Sequence, residues 1–218
     1  MSYNAILKST TYSIVFVRHG ESEGNVKQFF QGQVDYPLTD LGRNQAKLLS
    51  QKWIQDGIQF DQVISSPLSR AFETAQILST ALKIPLRSDS VWMEQDFGEL
   101  SNISIPEYRN SPQRPAFFTP YQSVGKTGES RNSLLARASQ AVESLIFQKP
   151  GCYLVVSHGS FLNMVMYVIL GMSLHPDIQG PRFRFGNTSF ASTIYDPEIH
   201  RWHLLEFNNQ SHLLHTGK

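Results

Sequence analysis

Two short apolar runs each end in a histidine followed by glycine: VFVRHGES at 15–22 delivers Arg18, His19 and Gly20, and LVVSHGSF at 154–161 delivers His158 and Gly159. A neutral imidazole is a nucleophile, and a cationic neighbour such as Arg18 disfavours its protonation, so His19 is the candidate nucleophile. Gly20 is expected to let a substrate approach the backbone. A third run delivers Ser65, Ser66 and Pro67, with Arg70 about one helical turn further on. At a shared edge, two histidines and two arginines would repel one another unless an anion sat among them, and a guanidinium fork matches phosphate oxygens bidentately. The chemistry this implies is phosphoryl binding and transfer. A leaving alkoxide then needs a proton. Glu94, in WMEQDFGEL, is placed best for that by chain order, with Asp96 and Glu99 as competitors.

The elements that must carry these residues are legible in outline. Runs of Val, Ile and Leu without polar alternation read as strands covered on both faces, which implies a parallel sheet between two helical layers. In open α/β sheets, ligands bind beyond the carboxyl ends of the strands. Thr39 is the expected N-cap of LGRNQAKLLSQKWI, with Leu41, Gln45, Leu48, Leu49 and Trp53 at helical spacing and Gly57 closing the helix. LSRAFETAQILSTAL, with Leu68, Phe72, Ala75, Ile77 and Leu78 on one face, and residues 131–148 read as further amphipathic helices, and 160–171 as a buried one. TSFASTIYD and RWHLLEFN flank Pro197 as a closing antiparallel hairpin. The fold expected is a three-layer α/β/α domain with a mostly parallel central sheet, spanning 1–218. An insert at about 102–127 interrupts it. Its core, 106–120, holds Pro106, Pro112, Pro115 and Pro120 with Phe117, Phe118 and Tyr121 close by, which reads as a lid loop.

The 218 residues carry 19 Lys plus Arg against 18 Asp plus Glu, without a basic run suited to several phosphates of a nucleic acid, so neither nucleic acid nor an anionic membrane is an expected partner. The longest apolar stretch, 161–172, is well short of the roughly 20 residues that span a bilayer. The first eleven residues lack the order of a signal peptide, and the single cysteine, Cys152, forms no internal disulfide. Together these make a reducing cytoplasm the expected compartment. Oligomeric state leaves no mark in the sequence.

VFVRHGESEGN resembles the signature of the histidine phosphatase superfamily, which includes the cofactor-dependent phosphoglycerate mutases. QGQVDYPLTDLGRNQA, SSPLSRAFETAQIL, MEQDFGEL, GESRNSLLAR and VVSHGSFL are similar to its later blocks, in the same order, from about residue 14 to 165. The resemblance implies that His19 is phosphorylated, that Arg18, Arg70 and His158 bind the transferring phosphoryl group, and that Glu94 donates a proton and then activates water. It implies that Ser22, Asn25, Gln31, Gly32 and the Gly159 amide line the substrate pocket, and that neither a metal nor another cofactor takes part. Departures bear on the substrate. Ser101 and Asn102 replace a common Glu-Gly pair, Ile105 stands near the mutases' lysine, and only Arg109, Arg114 and Lys126 remain in the insert, expected on a solvated face. A phosphatase acting on a small phosphorylated metabolite is therefore favoured over a phosphoglycerate mutase, with a non-catalytic phosphometabolite sensor as a third reading.

Gly20-Glu21-Ser22-Glu23-Gly24 also matches the nucleophile elbow of serine esterases, but too little chain precedes it to build that fold's oxyanion loop. Gly125-Lys126-Thr127 lacks the leading glycine of a nucleotide-binding loop. His200, His203, His212 and His215 show no ligand spacing and are expected on the surface or the hairpin.

Overall fold

The computed structural model describes residues 10–112, 114, 119–175 and 180–214. Six strands, β1 (Tyr12–Arg18), β2 (Gln62–Ser65), β3 (Leu86–Ser88), β4 (Cys152–Ser157), β5 (Phe190–Asp196) and β6 (Arg201–Asn209), form one sheet in the order β3-β2-β4-β1-β5-β6. The four strands from β3 to β1 are parallel; β5 runs against both its neighbours. The two echoing runs are the parallel pair β1 and β4, with Val17 opposite Val156 and Arg18 opposite Ser157. Their register brings His19 and His158 out of the sheet side by side.

Side chains alternate across β1. Ile14 and Phe16 pack with Leu134, Leu145, Phe161 and Val165, which belong to helices α5 (Arg131–Ile146) and α6 (Gly159–Ile169). Val15 and Val17 pack with Leu49, Trp53, Ala71 and Leu78, from α2 (Asp40–Gln55) and α3 (Ser69–Leu82) on the opposite face. The chain leaves β1 towards one helical layer and β4 towards the other. Between the ends of these neighbouring strands a crevice opens, the switch point at which α/β sheets bind ligands.

Local signals hold where capping fixes them. Thr39 Oγ1 accepts the Gly42 N–H at 3.0 Å to start α2, and Gly57, at φ +68°, closes it in the left-handed region. The buried stripes differ from the apolar residues expected. In α2 the inward residues are Gly42, Ala46, Leu49, Ser50 and Trp53, while Leu41 is exposed. In α3, Ala71, Thr74, Ala75 and Leu78 face inward and Phe72 and Ile77 are half-buried. Small residues let these two adjacent helices approach closely, so size outweighs hydrophobicity in choosing the face. The hairpin of β5 and β6 forms as expected.

The insert is not simply a loop. Ser104 accepts the Glu107 N–H and starts a short helix, α4 (Ile105–Asn110), with Pro106 in its first turn, where a missing N–H costs nothing. Phe30 ties it down, its ring 5.5 Å from Tyr108 and 5.2 Å from Phe97. Tyr121 is exposed; Pro115, Phe117 and Phe118 lie outside the described residues. Among the described residues no helix is long and apolar enough to cross a membrane.

Candidate active site

His19 leaves the end of β1 with its backbone N–H bonded to Ser157 O at 3.0 Å, and its carbonyl accepts Asn187 Nδ2 at 3.2 Å. Both ends of the residue are therefore fixed. The ring is 2% exposed, and its Nδ1 lies 2.6 Å from Gly20 O. A carbonyl only accepts, so Nδ1 carries the proton and Nε2 keeps its lone pair. Burial, then Arg70 and Arg18, hold this imidazole well below its ordinary pKa, so it is neutral at pH 7. The expected direction holds, with desolvation rather than Arg18 as the largest cause.

His158, N-terminal to α6, is fully buried with its ring centroid 5.2 Å from that of His19. Its Nε2 lies 2.8 Å from Ser66 Oγ, and burial, Arg70, His19 and Arg18 likewise hold it neutral. Arg18 donates to Phe185 O at 2.7 Å. Arg70, 1% exposed, donates to Gly32 O at 2.8 Å and Val34 O at 3.0 Å. Burial lowers the Arg70 pKa to about 10, which leaves it charged, and Glu94 opposes the shift. Arg18 Nε, Arg70 Nε and His158 Nδ1 are buried without a partner. Three clustered donors or acceptors left open in a protein interior mark a place for a polar ligand.

Glu94 is 8% exposed and lies over the start of α6, where the N-cap His158 offers no side-chain bond. Its Oε1 accepts from Gln95 N at 2.8 Å and Phe161 N at 2.9 Å, and Oε2 from Ser160 N at 3.1 Å. One Oε2 lone pair remains for a proton. Asp96 instead accepts from Gly98 N, and Glu99 pairs with Lys126 at the surface. Arg137, which the sequence reading left without a role, anchors the Glu94 segment. Its guanidinium clamps Glu129 and donates to the carbonyls of Val91, Met93 and Glu94.

A cavity of about 510 Å³ opens at this point, within the usual range for small-molecule sites. Arg18, His19, Asn25, Gln31, Gly32, Arg70, Glu94 and Gly159 all line it, while His158, fully buried next to the His19 ring, is not among the lining residues. Ser22 does not reach it. Fully buried, it caps the short helix α1 (Glu23–Val26), with Oγ 2.8 Å from Gln31 Oε1 and 3.0 Å from Asn25 Oδ1, so it braces two lining residues instead. A serine so enclosed is no esterase nucleophile. Gly20 also departs from its expected use. A Cβ there would meet Gly42 O at 2.5 Å, so glycine is required by the close approach of α2, not by a substrate.

Several lining residues were missed. Arg109 and Arg114 are exposed, as expected, but they border the cavity, whereas Lys126 is bonded to Glu99 away from it. Arg131, Arg182 and Arg184 join them. The sequence does carry a signal for the last two: Arg182-Phe183-Arg184-Phe185 alternates charge and aromatic with the period of an extended segment. Asn187, bonded to His19 O and to Asn25 Oδ1 at 3.1 Å, carries no such signal. His212 is buried, not superficial, bonded to Thr188 and held at a pKa of about 4 by desolvation. His215 lies outside the described residues.

Comparison with known proteins places this geometry. The family model of the histidine phosphatase superfamily (branch 1) matches residues 14–210. The probable phosphoglycerate mutase GpmB of Yersinia pestis (strain Pestoides F) is 32% identical over 187 residues, covering 84% of each chain. YhfR of Bacillus stearothermophilus superposes with a TM-score of 0.78 at 26% identity, over 93% of this chain and 99% of its own. Phosphoserine phosphatase from Entamoeba histolytica, in complex with 3-phosphoglyceric acid, gives 0.77 at 27%, over 93% and 100%. Because the family pattern runs from β1 to the end of β6, and so through every element that builds the crevice, the chain belongs to branch 1 of the histidine phosphatase superfamily.

Proposed function

We propose that this chain is a metal-independent phosphomonoester hydrolase that acts on a small phosphorylated metabolite through a phosphohistidine. The observation that carries the reading is the pinned Nδ1–H of His19, which leaves Nε2 as the free lone pair on a ring that burial, Arg70 and Arg18 hold neutral. In the first step Nε2 attacks phosphorus, the P–O ester bond breaks, and Glu94 gives its proton to the departing alkoxide. In the second step water attacks the phosphohistidine, Glu94 takes the water's proton, and the P–N bond electrons return to Nε2. Arg18, Arg70 and His158 stabilise the equatorial oxygens, with the Gly159 amide and Asn25, Gln31 and Gly32 completing the pocket. Catalysis is mainly positioning and electrostatics, as phosphoryl transfer generally is. The whole chain, 1–218, acts as one domain, and a reducing cytoplasm suits its free Cys152.

A mutase activity is the second reading, favoured by the name of the Yersinia relative. The 3-phosphoglyceric acid held by the Entamoeba phosphatase supports hydrolysis of a small phosphorylated acid instead. The deciding assay follows p-nitrophenyl phosphate, with 2- and 3-phosphoglycerate interconversion measured beside it. Hydrolysis that survives EDTA and is blocked by vanadate, which mimics five-coordinate phosphorus, supports the phosphatase. Interconversion outpacing phosphate release would replace it with the mutase. Binding of a phosphorylated metabolite without turnover would replace both with a sensor.

A further inference from the structure

The cavity is charged far beyond what one phosphoryl group needs. Among the described residues, seven arginines and one carboxylate, Glu94, line it. Arg18 and Arg70 belong to the phosphoryl end. Arg131, Arg182 and Arg184 form a second group, which Arg109 adjoins, and among the described residues none of these four side chains pairs with a carboxylate. Solvated arginines on an ordinary surface are interspersed with acids. Here, although Arg109, Arg182 and Arg184 are exposed at the cavity mouth, like charges lie close together: partial desolvation, then Arg131, Arg184 and Arg109, push the Arg182 guanidinium below its ordinary pKa.

Their backbone is anchored. Phe183 N donates to Asn163 Oδ1 at 2.7 Å, Phe183 packs edge-on against Tyr167 and Phe207, and Phe185 packs on Phe207 while its carbonyl holds Arg18. The same short segment therefore fixes a phosphoryl-binding arginine from its backbone and presents Arg182 and Arg184 to the cavity. Arg131, the first residue of α5, is held from the other side, where Ser130 caps the helix. Apolar side chains, Phe29, Phe97, Ile105 and Val124 among them, also line the cavity.

We infer that Arg131, Arg182 and Arg184 form a second anion subsite, so that the substrate is a phosphomonoester bearing a further anionic group, carboxylate or phosphate. The inference rests on the phosphatase reading for the word substrate, but the subsite itself is a binding claim. It can be tested without turnover.

Calorimetric titration of the full chain with propylphosphonate, 3-phosphonopropanoate and propane-1,3-bisphosphonate measures the value of the second group directly, because a phosphonate cannot be hydrolysed. A charge-assisted pair of bonds predicts about ten- to hundredfold tighter binding of one or both two-headed ligands. Which of the two gains more separates carboxylate from phosphate. In Arg182→Gln/Arg184→Gln that gain collapses towards unity, and Arg131→Gln reduces it alone. Equal affinity for all three ligands, or an unchanged gain in the double variant, overturns the subsite. If phosphatase assays fail while the gain is present, the subsite stands and the hydrolytic reading falls. If hydrolysis proceeds but the gain is absent, the opposite holds.

Discussion

Replacing Arg137 with methionine keeps most of the side chain's length and removes its charge, and the structure sets the size of the effect. The Arg137–Glu129 pair is bidentate, with Nε–Oε1 at 2.9 Å and NH2–Oε2 at 2.7 Å, and both side chains are less than a fifth exposed. Breaking such a pair leaves Glu129 charged and enclosed, and it also takes donors from the carbonyls of Val91, Met93 and Glu94. Stacking of the guanidinium on Phe161, 4.4 Å from the ring centroid, is lost as well. Losing one partner of a buried pair costs about 3–5 kcal/mol, and at roughly 2–4 °C per kcal/mol for a chain of this size the melting midpoint falls by about 6–20 °C. Circular dichroism melts of wild type, Arg137→Met and Arg137→Lys measure this, and lysine recovers only part because it lacks the fork. A second readout separates positioning from bulk stability. At a temperature where the variant is folded, kcat falls more for an alkyl phosphate than for p-nitrophenyl phosphate, because the segment Arg137 holds carries Glu94, the proposed proton donor. A midpoint within about 2 °C of wild type would refute the energetics, and an equal fall for both substrates would refute the link to Glu94.

Three further outcomes follow from the same geometry. Arg70→Ala or His158→Ala lowers the single-turnover chemical rate by about 10² to 10³, the usual loss for one preorganised donor; a near-normal rate removes that residue from the phosphoryl site. Glu94→Gln impairs alkyl phosphates more than p-nitrophenyl phosphate, whose leaving group barely needs a proton, and uniform impairment across leaving groups would point to a different acid. Both site histidines are neutral when folded but take protons near pH 6.5 when unfolded, so the unfolded chain binds more protons below that pH. Their contribution is therefore complete above about pH 6.5 and is lost as pH falls below it, by up to about 1.4 kcal/mol per pH unit for each histidine. Urea midpoints at pH 7.5 and 5.5 check the sign, and a midpoint that is flat or higher at the lower pH contradicts it.

What the sequence disclosed was the chemistry attached to continuous elements. The paired runs, the caps at Thr39 and Gly57 and the strand-end histidines are local patterns, and sheet register converts the echo directly into the pairing of His19 with His158. What it withheld depends on contacts between distant segments. Gly20 was read as making room for a substrate, yet the atom it makes room for is Gly42 O, on a helix whose approach no local pattern reveals. The family resemblance implies a place in the pocket for Ser22, while the turn of α1 points it inward to Gln31. Arg137 reaches Glu94 across 43 positions and Asn187 reaches His19 across 168. Arg182 and Arg184 are an intermediate case. Their alternation with phenylalanine was readable, but only the anchoring of Phe183 and Phe185 shows that the arginines border the same cavity as His19.

The central claim is a covalent bond between phosphorus and His19 Nε2, and rapid-quench labelling tests it most directly. Wild-type protein mixed with a ³²P-labelled phosphomonoester and quenched in alkali within one turnover should retain label that is acid-labile and maps to the peptide containing His19. His19→Ala should retain none and should not turn over. Label that persists in His19→Ala, or wild-type turnover with no trapped phosphoprotein on this peptide at any quench time, would contradict the account.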